Sequence, residues 1–401
     1  MANPSYTYVI VGGGLAGASA TEGIRERDKI ESILLLASEK HLPYDRPPLS
    51  KKLWLGKKKI DDIFLHNKDF YDQNNITVAL GATIKGLDVR NKTVTDDMGT
   101  CYGFKKLLLA TGGIPRILSM QGGTMAGICY YRTLDDYVMI RRETTERKSA
   151  VIIGGGFIGS ELAAALASNN IDVTMVFPSP YLAHRIFPEH LSQAIQKLYR
   201  SRGIKILAGE MPSGFVKNKS KFVTYTLGNK KIESDMVIVG IGIAPSLELA
   251  RNAGLQTANG ILVNEHLQTS FPDIYAAGDN AFFHYPALGK QVRIEHWDNA
   301  LNQGKVAGRN MAGANESYSY MPYFFSDLFE FGYEAVGDVD ASLETFTDWQ
   351  KENETGVIYY LKDAKVRGAM MCNVWNKIET ARELIRKAER VTPKKLLGAI
   401  R

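Results

Sequence analysis

The chain has 401 residues, of which 45% are hydrophobic, and a formal net charge of +6 at pH 7. This length predicts two or three domains, and the composition excludes a fibrous or disordered chain. The positive charge is scattered apart from the runs at 57–59 and 394–395, which indicates a solvated surface or a docking patch for an acidic protein, not a nucleic-acid-binding face.

The three cysteines, Cys101, Cys129 and Cys372, lie far apart in the sequence. Their spacing excludes a disulfide scaffold, a redox-active Cys pair and a zinc site, so we expect no bound metal. The N-terminus enters a predicted strand almost at once, and no apolar run reaches the roughly 18 residues of a spanning helix. We therefore expect a cytoplasmic protein with no membrane span.

Residues 8–17 read YVIVGGGLAG, an apolar strand followed by a glycine-rich turn and the start of a helix predicted at 16–27. In such a turn Gly12 permits the sharp bend, Gly14 lets the backbone approach phosphate oxygens, and Gly17 lets the helix pack on the strand. The helix N-terminus then offers free N–H groups to a dinucleotide pyrophosphate. This stretch predicts a dinucleotide site.

A second predicted strand, at 32–37, ends shortly before Glu39, where an acid can hold ribose hydroxyls. Next comes LPYDRPPLSKKLW, whose prolines stiffen a loop before a helix that we expect near Leu49. This segment is either a rigid connector or part of a cofactor site. In a cofactor site, Arg46 would reach the pyrophosphate and Lys51, one turn into the helix, would point to the reactive end of the cofactor. The segment resembles one shared by oxygenase-coupled ferredoxin reductases and the apoptosis-inducing-factor family.

Residues 107–115, LLLATGGIP, form another apolar strand that closes on the small-residue turn Ala110-Thr111-Gly112. A strand at 77–80 and a hairpin at 84–100 are predicted before it. The turn belongs either to an ordinary buried strand or to a place where the chain passes a flavin and leaves for a second domain.

Residues 150–162, AVIIGGGFIGSEL, repeat the opening fingerprint between a strand and a helix, with Gly154, Gly156 and Gly159 in the corresponding positions. Two such units imply two bound dinucleotides.

After the next predicted strand, at 173–177, the position of an acid that would hold the NADH ribose carries Pro178 and Ser179. Without that carboxylate NADPH is not repelled, and His184 or Arg185 could approach a 2′-phosphate. The sequence therefore leaves NADH and NADPH open.

A predicted strand at 235–240 leads to the turn at Gly242. In the ferredoxin reductases that the chain resembles, this turn lies beside the nicotinamide. Residues 273–280, DIYAAGDN, then place Asp279 at the start of a predicted helix, either to accept hydrogen bonds from ribityl hydroxyls or to cap the helix. The helix predicted within 293–301 would present backbone N–H groups, at Glu295-His296-Trp297, to the flavin's pyrimidine edge. In the alternative, Trp297 is a plain core residue.

Beyond residue 322 the pattern changes to alternating strands and a final helix, typical of a separate antiparallel α+β module that builds an interface and shields the flavin. The strands are predicted at 323–329, 333–339, 343–346, 355–361 and 365–372, and the helix at 376–390.

From its first strand to about residue 390, the chain resembles FAD-dependent pyridine nucleotide oxidoreductases of the ferredoxin-reductase type. Its segments FFSDL, GYEAVG, GVIYYL and VWN are most similar to the C-terminal domain of the apoptosis-inducing-factor family. The resemblance implies an α/β fold with two Rossmann-like domains of the glutathione-reductase kind and a C-terminal α+β domain. The expected domains are 1–113 with 245–321 for FAD, 114–244 for NAD(P)H, and 322–401.

The resemblance also implies residue roles. It pairs Lys51 with Glu161 near the flavin as the catalytic residues, places Phe157 where the nicotinamide enters, and sets Trp297 against the isoalloxazine. The FAD residues expected are Gly12, Gly14, Gly17, Glu39, Arg46, Lys51, Ala110, Thr111, Gly112, Asp279, Glu295, His296 and Trp297. The NAD(P)H residues expected are Gly154, Gly156, Phe157, Gly159, Glu161, Ser179 and Gly242.

The chain departs from the apoptosis-inducing-factor pattern in several places. Phe325 and Ser179 replace that family's tryptophan and coenzyme-binding glutamate, and its long C-terminal insertion is reduced to about 348–355. No mitochondrial targeting or membrane segment is found, so the apoptotic role is not carried over.

The expected function is hydride transfer from NADH or NADPH to FAD across the domain interface, followed by single-electron transfer to an acceptor. Ferredoxin or rubredoxin is the first choice of acceptor, and a small quinone or oxygen the alternative. A second hypothesis is a redox-responsive flavoprotein, similar to apoptosis-inducing factor, whose NADH-reduced state controls dimerisation or partner binding. The sequence leaves a homodimer open.

Overall fold

The computed structural model describes residues 3–144 and 148–400. Its strands are β1 (Ser5–Val11), β2 (Ile33–Ala37), β3 (Ile76–Leu80), β4 (Ile84–Asp88), β5 (Thr93–Asp96), β6 (Cys101–Leu109), β7 (Gly113–Pro115), β8 (Ile128–Tyr130), β9 (Ser149–Ile153), β10 (Asp172–Phe177), β11 (Lys205–Ala208), β12 (Pro212–Asn218), β13 (Lys221–Thr226), β14 (Lys231–Ser234), β15 (Met236–Val239), β16 (Ile243–Pro245), β17 (Ile261–Leu262), β18 (Ile274–Ala276), β19 (Ala281–Tyr285), β20 (Lys290–Val292), β21 (Tyr323–Leu328), β22 (Phe331–Gly337), β23 (Glu344–Lys351), β24 (Thr355–Lys362) and β25 (Lys365–Cys372). Its α-helices are α1 (Leu15–Arg27), α2 (Lys68–Gln73), α3 (Leu134–Glu143), α4 (Phe157–Ala167), α5 (Glu189–Ser201), α6 (Glu248–Asn252), α7 (Trp297–Met311), α8 (Ile378–Lys387) and α9 (Pro393–Leu396).

Residue contacts divide the chain into two compact units. The first unit comprises Met1–Asp45, Asp61–Ile114 and Ala244–Pro322, and the second comprises Arg46–Ile60, Pro115–Ile243 and Tyr323–Arg401. The second unit thus takes in most of the expected NAD(P)H-binding and C-terminal domains together with a short early segment. The division into three domains stays a prediction.

The first unit is built on a sheet of order β3-β2-β1-β6-β5-β4, with β18 also paired to β6. Strands β1, β2, β3, β6 and β18 run parallel, whereas β4 and β5 form an antiparallel hairpin that pairs with β6. All five residues of β2 are buried, as expected for a parallel strand covered on both faces. The predicted strands and hairpin of this region are therefore confirmed.

Helices α1 and α7 of the first unit pack closely enough to require a small residue at the crossing. A Cβ on Gly304 of α7 would lie 2.3 Å from the carbonyl oxygen of Ala16 in α1. This contact holds the start of α1, and with it the glycine turn at the end of β1, against the body of the unit.

The second unit contains a parallel sheet of order β11-β10-β9-β15-β8 and an antiparallel sheet of order β12-β13-β14. The two sheets share a buried apolar cluster formed by Val151, Ile153, Val176, Phe215, Phe222, Val237 and Val239. The unit's β9–turn–α4 connection repeats the β1–turn–α1 connection of the first unit.

The C-terminal part of the second unit is an antiparallel sheet of order β21-β22-β25-β24-β23, with α8 packed on β22 and β25. All the predicted strands of this α+β module are present. Strand β23 is longer than the predicted 343–346, so part of the segment interpreted as a reduced insertion is strand. The two sheets built around parallel strands, together with this module, confirm the predicted fold class.

Two local predictions are wrong. The chain at Leu49 forms only a short 3-10 helix, Pro47–Ser50, and Lys51 ends it with φ −136° and ψ −91°, outside the helical region of backbone angles. Asp279 begins no helix: it lies in a turn before β19, whose Phe and Tyr residues pair with β20. A helix-capping role for Asp279 is thereby excluded.

Across residues 3–144 and 148–400, no helix is both long enough and apolar enough to cross a membrane. The same residues contain no cluster of three or more His, Cys, Asp or Glu side chains that could hold a metal ion.

Candidate functional site

The first glycine turn has the geometry of a dinucleotide-binding loop. Gly12 has φ +130°, and a Cβ there would lie 2.0 Å from the carbonyl oxygen of Ala110, so no other residue fits. A Cβ on Gly17 would lie 2.0 Å from the Gly12 carbonyl oxygen. Gly14 is the N-cap of α1, makes no side-chain capping hydrogen bond, and has no atom within 4 Å of the place its Cβ would take. The space beside Gly14, at the start of α1, is therefore open.

The second turn repeats this arrangement. Gly154 has φ +124° with a would-be Cβ 2.3 Å from the Gly240 carbonyl oxygen, and a Cβ on Gly159 would lie 2.2 Å from the Gly154 oxygen. Gly156 is the uncapped N-cap of α4, again with no atom within 4 Å of its Cβ position.

The donor chemistry of both turns fits a pyrophosphate. Neither α1 nor α4 has an acidic residue in its first turn, so no carboxylate competes for the N–H groups or repels a dianion. The residues present at the first turn thus fit FAD, and those at the second fit NADH or NADPH.

The Ala110-Thr111-Gly112 turn follows β6 beside the first glycine turn. The Thr111 hydroxyl donates to the Ser246 carbonyl oxygen at 3.0 Å and accepts from the Asn280 amide nitrogen at 2.9 Å. Gly112 has φ +61°. Thr111 is thus part of a hydrogen-bonded network within the first unit.

Asn280 and Gln303 are fully buried beside this network and were missed by the sequence analysis. The Asn280 amide nitrogen also donates to the Leu109 carbonyl oxygen, and the Gln303 amide oxygen accepts from the Gly278 N–H at 2.9 Å. Within the described residues, Asn280 Oδ1 and Gln303 Nε2 have no hydrogen-bond partner. The sequence signal that could have identified Asn280 is its position as a polar residue directly after the Gly278-Asp279 pair.

The segment before α7 contains the remaining flavin candidates. The Asp279 carbonyl oxygen accepts from Arg293 at 2.9 Å, and Arg293 pairs with Glu295 at 2.6 Å. Burial lowers the pKa of His296, the N-cap of α7, to about 4, against the opposing charge of Asp279, so its imidazole is neutral at pH 7.

Trp297 is partly exposed, and its indole nitrogen donates to Asp45 Oδ1 at 2.8 Å. This hydrogen bond fixes the ring in one orientation, and the role of Trp297 at the flavin stays a prediction. Glu39 follows β2 as predicted and accepts a 2.5 Å hydrogen bond from the buried Tyr44 hydroxyl.

The second unit contains a buried ion pair. Lys51 Nζ lies 2.8 Å from Glu161 Oε1, and the two side chains are 8% and 5% exposed. Ser50 and Ser326 donate hydrogen bonds to the same carboxylate, and Lys51 Nζ lies 5.1 Å from the centroid of the Phe325 ring. The cation and the anion are therefore compensated inside the protein, which a buried charge requires.

The two serines of this cluster were also missed. Ser50 adjoins Lys51 in the predicted motif, whereas no local signal marks Ser326, which lies 165 residues from Glu161 in sequence. Arg46, predicted to contact the pyrophosphate, also belongs to the second unit and donates to the Arg132 carbonyl oxygen at 2.8 Å.

The second nucleotide turn is flanked by the coenzyme candidates. Phe157 begins α4, is 40% exposed, and packs edge-to-face with Phe324 at 5.6 Å between ring centroids. The Ser179 hydroxyl donates to the Tyr181 carbonyl oxygen at 3.1 Å, and His184 and Arg185 are exposed.

Gly242 adopts φ +91° with no atom within 4 Å of its Cβ position. The cysteines form no disulfide. Cys129 and Cys372 are buried and free, burial raises the pKa of both thiols, and Cys101 is free and partly exposed.

Comparison with known proteins gives consistent matches. Residues 6–304 match the pyridine nucleotide-disulphide oxidoreductase family, and residues 307–355 and 347–387 match the C-terminal domain of mitochondrion-associated apoptosis-inducing factor. Apoptosis-inducing factor 1 of Dictyostelium discoideum is 35% identical over 95% of this chain and 78% of its own. The ferredoxin–NAD(+) reductase component of the anthranilate 1,2-dioxygenase system of Burkholderia cepacia is 32% identical over 97% of this chain and 96% of its own.

Among solved structures, the covalent putidaredoxin reductase–putidaredoxin complex contains a chain that matches with a TM-score of 0.92 and 31% identity. The match covers 98% of this chain and 96% of that one. These findings confirm the predicted resemblance, fold class and cofactors: the protein uses FAD and NAD(P)H and passes hydride from NAD(P)H to FAD. The chain belongs to the pyridine nucleotide-disulphide oxidoreductase family.

Proposed function

We propose that the electron acceptor of this FAD-dependent NAD(P)H oxidoreductase is a small ferredoxin or rubredoxin. The observation that carries the proposal is that one chain contains two uncapped glycine turns, at Gly14 and Gly156, while its three cysteines supply no dithiol to receive the electrons. The names of the Burkholderia relative and of the matched complex support a protein acceptor. We also propose that the protein is located in the cytoplasm.

When bound, FAD supplies the chemistry of accepting a hydride and releasing its two electrons singly. The chain's own residues bind, orient and tune. The first N–H groups of α1 and α4 hold the two pyrophosphates. In the proposal Glu39 holds ribose hydroxyls, Arg46 contacts a pyrophosphate, and Asp279 faces the ribityl chain. The turn Ala110-Thr111-Gly112 lines the passage of the cofactor.

The neutral His296 and the oriented Trp297 stand at the start of α7, where backbone N–H groups are available to the pyrimidine edge of the flavin. Lys51 provides positive charge for the electron density that the flavin gains on reduction, and Glu161 holds the ammonium group in place. Phe157 lies where the nicotinamide enters, and the missing side chain at Gly242 leaves space for the nicotinamide.

The acceptor is tested with the flavin-loaded protein under anaerobic conditions. NADH or NADPH is supplied in excess, and reduction of an added ferredoxin, rubredoxin or small quinone is followed by its visible absorbance. The proposal predicts that a protein carrier is reduced at much lower concentration than the quinone. Reduction of the quinone alone would contradict the proposed acceptor.

Gly156→Val tests whether the coenzyme binds at the second glycine turn. Gly156 has φ −89°, and its Cβ position is empty, so valine fits the folded chain but occupies the space proposed for the coenzyme phosphates. This variant should retain FAD and lose carrier reduction. Carrier reduction at the wild-type rate would place the coenzyme elsewhere.

The second candidate is a redox-responsive binding protein, which the match of residues 307–355 and 347–387 to the apoptosis-inducing-factor C-terminal domain favours. In this alternative, NADH reduces the flavin slowly and the reduced protein changes its dimerisation. Light scattering with and without NADH separates the candidates: a change of oligomer size on reduction favours the binding protein, and a constant size favours the reductase.

A further inference from the structure

Two donors converge on one oxygen of Glu161. Lys51 Nζ lies 2.8 Å and Ser326 Oγ lies 2.6 Å from Oε1, while Ser50 donates to Oε2. The carboxylate is buried, so these contacts replace the water that would otherwise solvate it. Ser326 belongs to β21, in the C-terminal module that the sequence analysis interpreted as an interface and shielding element.

Tyr333 lies beside Ser326 in the C-terminal sheet. The two residues are directly opposite each other on β21 and β22, so their side chains are on the same face of the sheet. Burial and the charge of Glu161 raise the pKa of Tyr333, so its phenol stays protonated. The Ser326 hydroxyl proton is directed at Glu161.

The Ser326 hydrogen bond changes how strongly Glu161 neutralises Lys51. A donor at 2.6 Å from Oε1 stabilises part of the carboxylate charge, and this leaves the Lys51 ammonium less fully compensated. Positive charge near a flavin favours its reduced form. The C-terminal module therefore has a direct electrostatic connection to Lys51.

We infer that Ser326 is a positioning residue for flavin reduction, which it promotes by fixing the Glu161 carboxylate and thereby the position and effective charge of Lys51. This inference rests on the function proposed above, in which Lys51 serves the flavin. It assigns the C-terminal module a part in the redox chemistry.

The test is Ser326→Ala in the flavin-loaded protein. We expect a lower midpoint potential of the bound FAD, measured by anaerobic spectroelectrochemical titration. We also expect flavin reduction at saturating NADH to slow by about tenfold, the effect of losing one hydrogen bond to a charged group. The coenzyme concentration that gives half-maximal rate should not change, because Ser326 does not touch the coenzyme in this account.

Ser234→Ala is the matched control. Ser234 is as buried as Ser326 and lies in the same unit, but its hydroxyl donates to the Met236 carbonyl oxygen at 2.9 Å. This variant loses a buried hydrogen bond without touching the cluster and should keep the wild-type potential. Ser326→Thr keeps the hydroxyl and should restore most of the potential and rate.

A double-variant cycle tests whether Ser326 acts through Glu161. In a Glu161→Gln background, Ser326→Ala should produce little additional change in potential. A shift as large as in the wild-type background would overturn the inference, as would a Ser326→Ala potential equal to that of Ser234→Ala. Should Ser326→Ala fail to fold, Ser326→Cys provides the test, because a thiol is a weaker hydrogen-bond donor than a hydroxyl: it should lower the potential in the same direction by less, and an unchanged potential would count against the inference.

Lys51→Met distinguishes this inference from the proposed function. Unchanged potential and reduction rate in Lys51→Met would overturn the proposed role of Lys51 and, with it, that of Ser326. A changed Lys51→Met beside an unchanged Ser326→Ala would overturn the Ser326 inference alone.

Discussion

The buried ion pair of the second unit makes a quantitative prediction about stability. Glu161→Ala leaves the Lys51 ammonium charged and buried and removes the acceptor of two serine hydroxyls. Breaking a buried pair from one side costs about 3–5 kcal/mol. For a unit of about 220 residues, at about 2–4 °C for each kcal/mol, the expected fall in unfolding temperature is about 6–20 °C.

An exposed ion pair in the same unit provides the comparison. Arg202 and Glu330 lie 2.9 Å apart, but their side chains are 51% and 57% exposed, so Glu330→Ala should cost at most about 1 kcal/mol. The double variant Lys51→Met/Glu161→Leu should recover most of the stability lost in Glu161→Ala, because it leaves no unpaired charge in the interior.

The assay is thermal unfolding of the flavin-loaded proteins, followed by circular dichroism at one fixed excess of FAD so that ligand stabilisation is equal in all of them. If Glu161→Ala unfolded at the same temperature as Glu330→Ala, or if the double variant were less stable than Glu161→Ala, the description of a buried compensated pair would be refuted.

Three further predictions concern the first glycine turn, the coenzyme and pH. Gly14→Val should fold, since Gly14 has φ −87° and an empty Cβ position, yet bind FAD at least tenfold more weakly by flavin-fluorescence titration, roughly a 1.4 kcal/mol loss; tight binding would contradict the site. Ser179→Glu should raise the ratio of the KM for NADPH to the KM for NADH about tenfold, since a carboxylate repels the 2′-phosphate of NADPH. An unchanged KM ratio would place Ser179 away from the ribose. Because His296 has a folded pKa of about 4 against 6.5, the unfolded chain takes up its proton first, so this residue's contribution to stability is present above pH 6.5 and lost as pH falls toward 4. The unfolding temperature of His296→Gln should therefore fall less steeply than that of the wild type over this pH range, and parallel curves would argue against a neutral His296.

The sequence predicted the parts of the fold that are governed by local rules. The glycine turns were predictable because a positive φ at Gly12 and Gly154, and close backbone approaches at Gly17 and Gly159, leave no other residue acceptable. The strands were predictable because fully buried parallel strands such as β2 are unbroken apolar runs.

The wrong predictions share a physical origin, which is that the same local pattern serves two structures. A Gly-Asp-Asn run after a strand is typical of a helix N-terminus, yet the aromatic residues of β19 pair with β20 and extend the chain after Asp279. The two prolines before Leu49 suit a helix start, but the backbone angles of Lys51 lie outside the helical region and the 3-10 helix ends at Ser50.

Long-range contacts were beyond prediction from residue patterns. The Lys51–Glu161 pair was expected only because the motifs resemble a known family, and nothing in the sequence near Ser326 indicates its hydrogen bond to a carboxylate 165 residues away. Trp297 shows the same limit, since its orientation depends on Asp45, 252 residues distant in sequence.

The function proposed for this protein requires that NAD(P)H reduce the bound FAD quickly and that a one-electron carrier protein then take the electrons. The most direct measurement is an anaerobic stopped-flow record of flavin absorbance after mixing with NADH or NADPH, followed by addition of oxidised ferredoxin or rubredoxin. We expect rapid bleaching that the carrier reverses within the same mixing experiment. Slow bleaching, with a long-lived long-wavelength absorbance that the carrier leaves unchanged, would contradict it.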